Sequence, residues 1–248
     1  MKVSIITVVF NNSKTITDAI NSVLSQNYPN IEYIIIDGKS TDGTLDIIIS
    51  YSDKITKVIS EPDNGIYDAM NKGIMYATGD IIGILNSDDI YADEKVILDV
   101  ANLFISNKSL DIVYGNLVYV KAEDTNHVVR NWISKAYFKK YFEWGNVPPH
   151  PTLFLKKSVY NKVGLFNLEF KLAADYEFML RLFKKFDFES QYSNRLMVKM
   201  RLGGATNKNL KNITNGNKEI IKAWVYNNFK PPFLLMPLRL FIRLIQFL

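Results

Sequence analysis

At 248 residues, 48% hydrophobic and 22% charged, the chain has material for one large domain with a real core and at most a small appendage. With no cysteine and only His127 and His150, it excludes disulfide frameworks, thiol catalysis and Cys/His zinc sites. Its formal charge of +5 suits anionic ligands or an anionic membrane surface and is too weak to argue for nucleic acid.

The opening MKVSIITVVFNN carries a short apolar run followed by Asn11 and Asn12. It reads as a first core strand over residues 3–9 rather than a leader. No stretch reaches the roughly 18 uninterrupted apolar residues that a spanning helix needs, so a cytosolic protein is expected. Ile16, Ala19, Ile20, Val23 and Leu24 recur at helical spacing, with Ser13 or Thr15 available as a cap. A second buried strand follows at 33–38, a short helix at 42–53 and a third strand at 57–60. A helix is marked by Ile66, Met70, Ile74 and Ala77, and a fourth strand lies at 80–85. Strands alternating with helices, and apolar through their length, predict an α/β domain with a mainly parallel sheet covered on both faces.

The rhythm changes near residue 100. Residues 110–120 and 127–133 flank a polar turn and suggest a β-hairpin. A strand and helix follow within 152–164, an amphipathic helix at 173–186, a strand at 195–202 and a helix at 210–228. Pro231 and Pro232 then break the chain before an apolar tail carrying only Arg239 and Arg243 as charges. One domain over 1–228 is expected, with a functional division near residue 100 into 1–100 and 101–228. The tail, 229–248, is either a helix packing on the domain or, the preferred reading, a helix in a membrane interface, its basic residues punctuating a lipophilic surface.

In open α/β sheets, ligands bind beyond the carboxyl ends of the strands. Each of the first four strands here ends in polar groups: Asn11, Asp37, the Glu61–Asp63–Asn64–Gly65 turn, and Asn86-Ser87-Asp88-Asp89. Singly, such residues are common turn formers. Together they describe one polar edge. Asp68 and Asn71, spaced i, i+3, share a helix face and present to the same crevice, while Gly65 permits a tight turn or close ligand approach. Two adjacent carboxylates at a strand end need a compensating charge. Mg²⁺ or Mn²⁺ bridging to a diphosphate would supply it; capping of a helix starting near Asp93 is the plainer alternative.

As an ordered set, VSIITVVFNN, IIIDGKSTDGT, DNGIYDAMNKGIMYATGD and GILNSDD resemble family 2 glycosyltransferases of the GT-A fold, over roughly residues 1–205. The second half is similar to bacterial O-antigen and exopolysaccharide enzymes. The resemblance implies that Thr7, Val8 and Asn11 lie near the uracil or ribose of a nucleotide sugar, with Asp37 on the base. It places Gly65, Asp68 and Asn71 under nucleotide and sugar. Asn86, Ser87 and Asp88 contact the donor, and Asp89 is the ligand of a divalent cation, Mg²⁺ or Mn²⁺. AADYEFMLRLF is similar to the segment that carries the family's general base, which implies Asp175, although Ala174 stands where many members have glutamate. PPHPTLFLKKSVYNKVG puts His150 near the site. KMRLGGATN resembles the loop closing over the diphosphate, so Arg201 would contact phosphate. The late histidine that many relatives use as a metal ligand is absent.

The implied reaction is inverting transfer from a nucleotide-diphosphate sugar to a polyprenyl-diphosphate-linked saccharide, at the inner face of a bacterial membrane. The plain reading of Asp175 is a helix N-cap, and that of His150 a loop residue beside prolines. Two other enzyme classes fit poorly. A haloacid dehalogenase-type phosphatase would need an aspartate nucleophile where Ser40 stands, and a nicotinamide dehydrogenase would need a glycine-rich turn after the first strand. A nucleotide-sugar binding module without transfer activity is the remaining alternative.

Overall fold

The computed structural model describes residues 1–203 and 210–247. Among these, the elements run β1 (Val3–Val9), α1 (Ile16–Leu24), β2 (Ile31–Asp37), α2 (Thr44–Ile49), β3 (Lys57–Ser60), α3 (Ile66–Tyr76), β4 (Ile81–Ile84), β5 (Asp89–Tyr91) and α4 (Val96–Ser106). The second half adds β6 (Ile112–Val120), β7 (Val128–Trp132), a 3₁₀ turn (His150–Thr152), β8 (Phe154–Lys156), α5 (Lys157–Val163), α6 (Ala174–Lys185), β9 (Ser190–Arg201), α7 (Leu210–Tyr226) and α8 (Leu235–Ile245).

The strands form one sheet in the order β3-β2-β1-β4-β8-β6-β9-β5, with β7 paired to β6. The first four strands are parallel, as their unbroken apolar character predicts. Beyond β4 the sheet is mixed: β8 runs antiparallel to β4 and β6, β9 parallel to β6, and β5 antiparallel to β9. The hairpin expected over 110–133 is β6–β7. The sheet is therefore less uniformly parallel than the alternation of its first half suggests, because β8 and β5 run antiparallel to the strands beside them.

Period-two alternation divides β1 and β2 between two cores. Val3, Ile5, Tyr33 and Ile35 pack with α1 and α4; Ile6, Val8, Ile34 and Ile36 pack with α3 and α6. Fully burying each such side chain contributes about 1.5–3 kcal/mol. Gly73 allows α3 to approach the sheet, since a Cβ there would stand 2.3 Å from the Ile6 side chain. Glu32 of β2 is one of the buried acids of this half. Glu32 accepts from Lys2 Nζ (2.6 Å), Ser4 Oγ (2.6 Å) and Thr78 N (2.7 Å). Burial alone would raise its carboxyl, but these bonds hold it at about 2.

The strand order reverses at β1, which has β2 on one side and β4 on the other. That switch point opens a crevice at the carboxyl ends of β1 and β4.

Candidate active site

Side-chain bonds tie the loops at this edge together. Asn11, at φ 49°, accepts from Thr41 N (2.8 Å) and donates its own N–H to Ser40 Oγ (2.8 Å), joining the loops after β1 and β2. Asn12 Nδ2 donates to Ser87 Oγ (2.9 Å), and Thr15 Oγ1 to the Ser87 carbonyl (2.9 Å). Thr15 occupies the N-cap position of α1 without capping it; its hydroxyl positions the carboxylate loop instead. Gly38 permits the third loop to close in, because a Cβ there would lie 2.4 Å from Asp63 Oδ2. Gly65, at φ 108°, starts α3, and its N–H donates to Asp63 Oδ1. Phe10 stands 62% exposed at the rim of this crevice, an aromatic face with no burial to explain it.

Asp89 begins β5, a three-residue strand too short to be seen in the sequence pattern, held by Met200 of β9. The Asp89 side chain is fully buried. Oδ2 accepts from Asn86 Nδ2 (3.1 Å), whereas Asp89 Oδ1 and Asn86 Oδ1 have no partner. Burial pushes the Asp89 carboxyl far above the usual carboxylate range, and the Asp88 charge adds to it; Asn86 and Arg201 pull the other way. Burial also raises Asp88, against the pull of Arg201. Two orphaned buried oxygens beside a repelling acid pair are costly in the free protein. All-oxygen donors of this kind fit a hard divalent cation that keeps waters and phosphates as its other ligands. The described residues hold no cluster of three or more acidic, His or Cys ligands, so a cation would depend on that outside help.

Several expected contacts are committed elsewhere. Arg201, 6% exposed, donates to the Asp88 carbonyl (3.0 Å) and the Ala122 carbonyl (3.0 Å), and pairs with Asp18. Its guanidinium braces the carboxylate loop from inside. Asn71 is buried, and its amide makes reciprocal bonds with Phe166 N and O, both 2.9 Å. It therefore shares the buried side of α3 and clamps the loop before α6, rather than facing the crevice with Asp68. Asp68 accepts from Asn64 N (2.9 Å) at the start of the same helix. Asp37 is fully buried and accepts from Ser60 Oγ (2.6 Å) and Ser40 N (3.1 Å), so its carboxylate shapes the turn after β2. Thr7 is buried and accepts from Tyr33 O–H (3.1 Å), and Val8 lies in the core, so neither side chain is exposed at the strand end. The rest of the KMRLGGATN segment, residues 204–207, lies outside the described residues.

The second cluster comes from α3 and α6. Asp175 lies in the first turn of α6, and its Oδ1 accepts from Tyr67 O–H (3.0 Å). It is not the helix cap. Glu219 of α7 receives the N–H groups of Lys171 (3.0 Å), Leu172 (2.8 Å) and Ala173 (2.9 Å) ahead of the helix. Burial, then the Asp175 charge, raises the Tyr67 hydroxyl well above its ordinary range, so it stays a donor. His150, buried against the Phe166 ring at 5.4 Å, is pushed down by burial and partly restored by Asp175. A second brace fixes α6: Arg181 bonds Glu177 (2.9 Å) and the Leu165 carbonyl (2.8 Å), while Asn227 reaches Glu177 (2.9 Å). Ala174 is wholly buried, so the position where relatives carry glutamate is core here.

Tyr67, Asn12 and Asp18 were not singled out by pattern. Tyr67 and Asn12 lie inside quoted motifs, adjacent to Asp68 and Asn11; Asp18 carried no signal beyond a helix first turn.

A nucleotide-binding switch point, an acid pair after the fourth strand and a separate aspartate on a later helix define the nucleotide-sugar transferase class of α/β folds. Comparison with known proteins agrees. Residues 4–164 match the model of Glycosyl transferase family 2, and the chain belongs to that family. It is 33% identical over 181 residues to Uncharacterized glycosyltransferase Rv1514c of Mycobacterium tuberculosis, covering 72% of this chain and 68% of that protein. It is 27% identical over 213 residues to a PGL/p-HBAD biosynthesis glycosyltransferase of Mycobacterium bovis, covering 82% and 78%. Among solved structures, S. aureus TarS 1–349 in complex with UDP-GlcNAc superposes with TM-score 0.66 at 19% identity, over 83% of this chain and 60% of that one. The mannosyltransferase PcManGT from Pyrobaculum calidifontis, in complex with GDP-Man and Mn²⁺, superposes with TM-score 0.62 at 16% identity, over 97% and 73%. The chain thus spans well under two thirds of the TarS chain, and these likenesses establish the GT-A fold.

Proposed function

We propose that the chain is an inverting, divalent-cation-dependent glycosyltransferase that moves a sugar from a nucleoside-diphosphate sugar to a hydroxyl of a lipid-linked saccharide. The observation that carries this reading is the buried, half-orphaned Asp89 together with a separate, tyrosine-bound Asp175, both of which act on the Tyr119 hydroxyl. A UDP-sugar is the donor proposed, after the likeness to TarS in complex with UDP-GlcNAc, with a GDP-sugar as the alternative after PcManGT in complex with GDP-Man. The lipid-linked acceptor is likewise our own proposal, beside a relative named for PGL/p-HBAD biosynthesis.

In this reading, the base stacks on exposed Phe10 above the turn held by Asp37, with Asn11 and the backbone of Thr7 and Val8 beside it. Gly65 and Asp68 line the floor, and Asn86, Ser87 and Asp88 meet the donor. Asp89 holds Mg²⁺ or Mn²⁺, which when bound neutralises charge on the diphosphate. The acceptor oxygen attacks the anomeric carbon, the bond from that carbon to the diphosphate oxygen breaks, and the acceptor proton passes to Asp175. One base and no protein nucleophile give inversion. Tyr67 orients the carboxylate, and neutral His150 lines the acceptor side.

The segment 229–248 is proposed to rest on a membrane surface. No helix among the described residues is long and apolar enough to cross one. Leu240, Phe241 and Leu244 of α8 are 60% or more exposed. The test is a panel of nucleotide sugars assayed with and without Mn²⁺ for thermal stabilisation, followed by the anomeric configuration of any product. A cation-dependent shift with one UDP-sugar and an inverted product are expected. Indifference to every nucleotide sugar would refute the proposal, and donor binding without product would leave the binding-module reading.

A further inference from the structure

Helix α8 is built inside out. Its apolar residues Leu240, Phe241, Leu244 and Ile245 face solvent, while Arg239, Ile242, Arg243 and Gln246 face the protein. The basic residues expected to stud a lipophilic surface are turned inward. Gly145, at φ 78°, allows this docking, since a Cβ there would stand 2.9 Å from Arg239 N. Asn131 N–H donates to the Gln246 carbonyl (2.8 Å), and Arg130 Nε donates to its side chain (2.8 Å), fixing the helix to β7.

Between α8, the β6–β7 hairpin and the 141–147 segment lies a cavity of about 60 Å³, lined by Arg130, Arg239 and Arg243 and by no carboxylate. That is about twice the share of one water molecule. None of the three arginines forms an ion pair among the described residues. Arg130 lies over the Tyr119 ring at 4.5 Å and Arg239 over the Tyr176 ring at 4.7 Å. Arg239 Nη1 is buried with no hydrogen-bond partner. Burial depresses both Arg130 and Arg239, and Arg243 repels each of them. Aromatic faces offset only about 0.5–2 kcal/mol of such a cost per cation. Three guanidinium groups around one small space, with an unused donor, suit a tetrahedral oxyanion.

The surroundings identify the anion's carrier. Ile133 (66% exposed) lines the cavity, and Phe247 (58%) stacks near Arg130 at 5.5 Å, beside the apolar face of α8. A phosphate attached to a hydrocarbon chain matches both features at once. The cavity also adjoins the candidate active site: Arg239 stacks on Tyr176, next in sequence to Asp175, and the Tyr119 hydroxyl feels both Asp89 and Asp175.

We propose that the Arg130–Arg239–Arg243 cavity binds a phosphate or diphosphate group of the acceptor, the exposed face of α8 lying along the lipid that carries it. This rests on the transferase reading above and adds the group that anchors the acceptor.

The test is co-sedimentation of the full chain, in EDTA, with phosphatidylcholine vesicles with and without a polyprenyl phosphate. The wild type should prefer the phosphate-bearing vesicles. Arg239→Gln with Arg243→Gln should reduce that preference about tenfold or more, since a charged hydrogen bond is worth at least about 1.5 kcal/mol. Binding to plain vesicles should persist. The double lysine variant should keep part of the preference, and it serves if the glutamine pair fails to fold. A second arm measures the melting temperature with inorganic pyrophosphate in EDTA. An arginine-dependent shift there, with no lipid preference, supports the anion site and assigns it to a soluble phosphate. A wild type indifferent to both probes, or a preference unchanged in the glutamine pair, overturns the proposal. Nucleotide-sugar stabilisation with Mn²⁺ on the same proteins reports the donor side separately. Its failure with intact arginine-dependent binding would fault the transferase reading alone.

Discussion

Replacing Asp89 by Asn should make the free protein more stable and the donor complex weaker. The carboxylate is fully buried, one oxygen has no partner, and Asp88 repels it. An unsatisfied buried acceptor costs about 1–3 kcal/mol, more when charged. Asparagine keeps the shape and the bond from Asn86, but removes some attraction from Arg201, so a net gain of about 1–2 kcal/mol is expected. At this chain length, about 2–4 °C per kcal/mol translates that into a rise of about 2–8 °C in melting temperature. The same variant should lose the cation-dependent part of nucleotide-sugar stabilisation, which for a ligand at a hundred times its Kd is about 2.7 kcal/mol. Calorimetry or dye-based melting, with and without Mn²⁺ and UDP-sugar, reads both effects. A variant less stable than wild type would show that the carboxylate is a structural anchor. An undiminished cation-dependent shift would remove Asp89 from the metal site.

Asp175→Asn should lower kcat by about 10²–10⁴, the usual worth of a general base, with donor KM nearly unchanged; equal turnover would dismiss the assignment. Asn71→Ala should cost roughly 2–4 kcal/mol in urea unfolding, because it strands both backbone groups of Phe166 in the interior; unchanged stability with lost donor binding would return Asn71 to a ligand role. Glu32 has its folded carboxyl at about 2 against an ordinary 4.5. A depressed acid stabilises fully above the unfolded value, so its contribution should fade as pH falls from about 4.5 toward 2. Denaturation midpoints over that window should flatten in Glu32→Gln.

The parallel half of the fold was legible because buried strands and amphipathic helices advertise themselves in apolar spacing. β1, α1 and β3 fall where the spacing predicts them. β5 was not legible: three residues carry no period, and the strand exists only because β9 passes beside it. The polar strand ends were correctly read as meeting at one edge, since parallel strands share a direction. What each side chain does there was less readable. Asn71 and Arg201 sit in the right segments, yet their groups turn to Phe166 and Asp18. A residue type in a motif fixes its donors and acceptors but not the partner that reaches them first.

The sequence alone determined the α/β class, the polar edge and the acid pair, because these follow from side-chain period and strand polarity. The tertiary structure decided which acid is buried and half-orphaned, which tyrosine holds Asp175, and that α8 presents its hydrocarbon outward and its arginines inward. Those are facts of packing between segments far apart in the chain. The apolar count of the tail is the same whichever face turns in, and only the surface it docks against chooses.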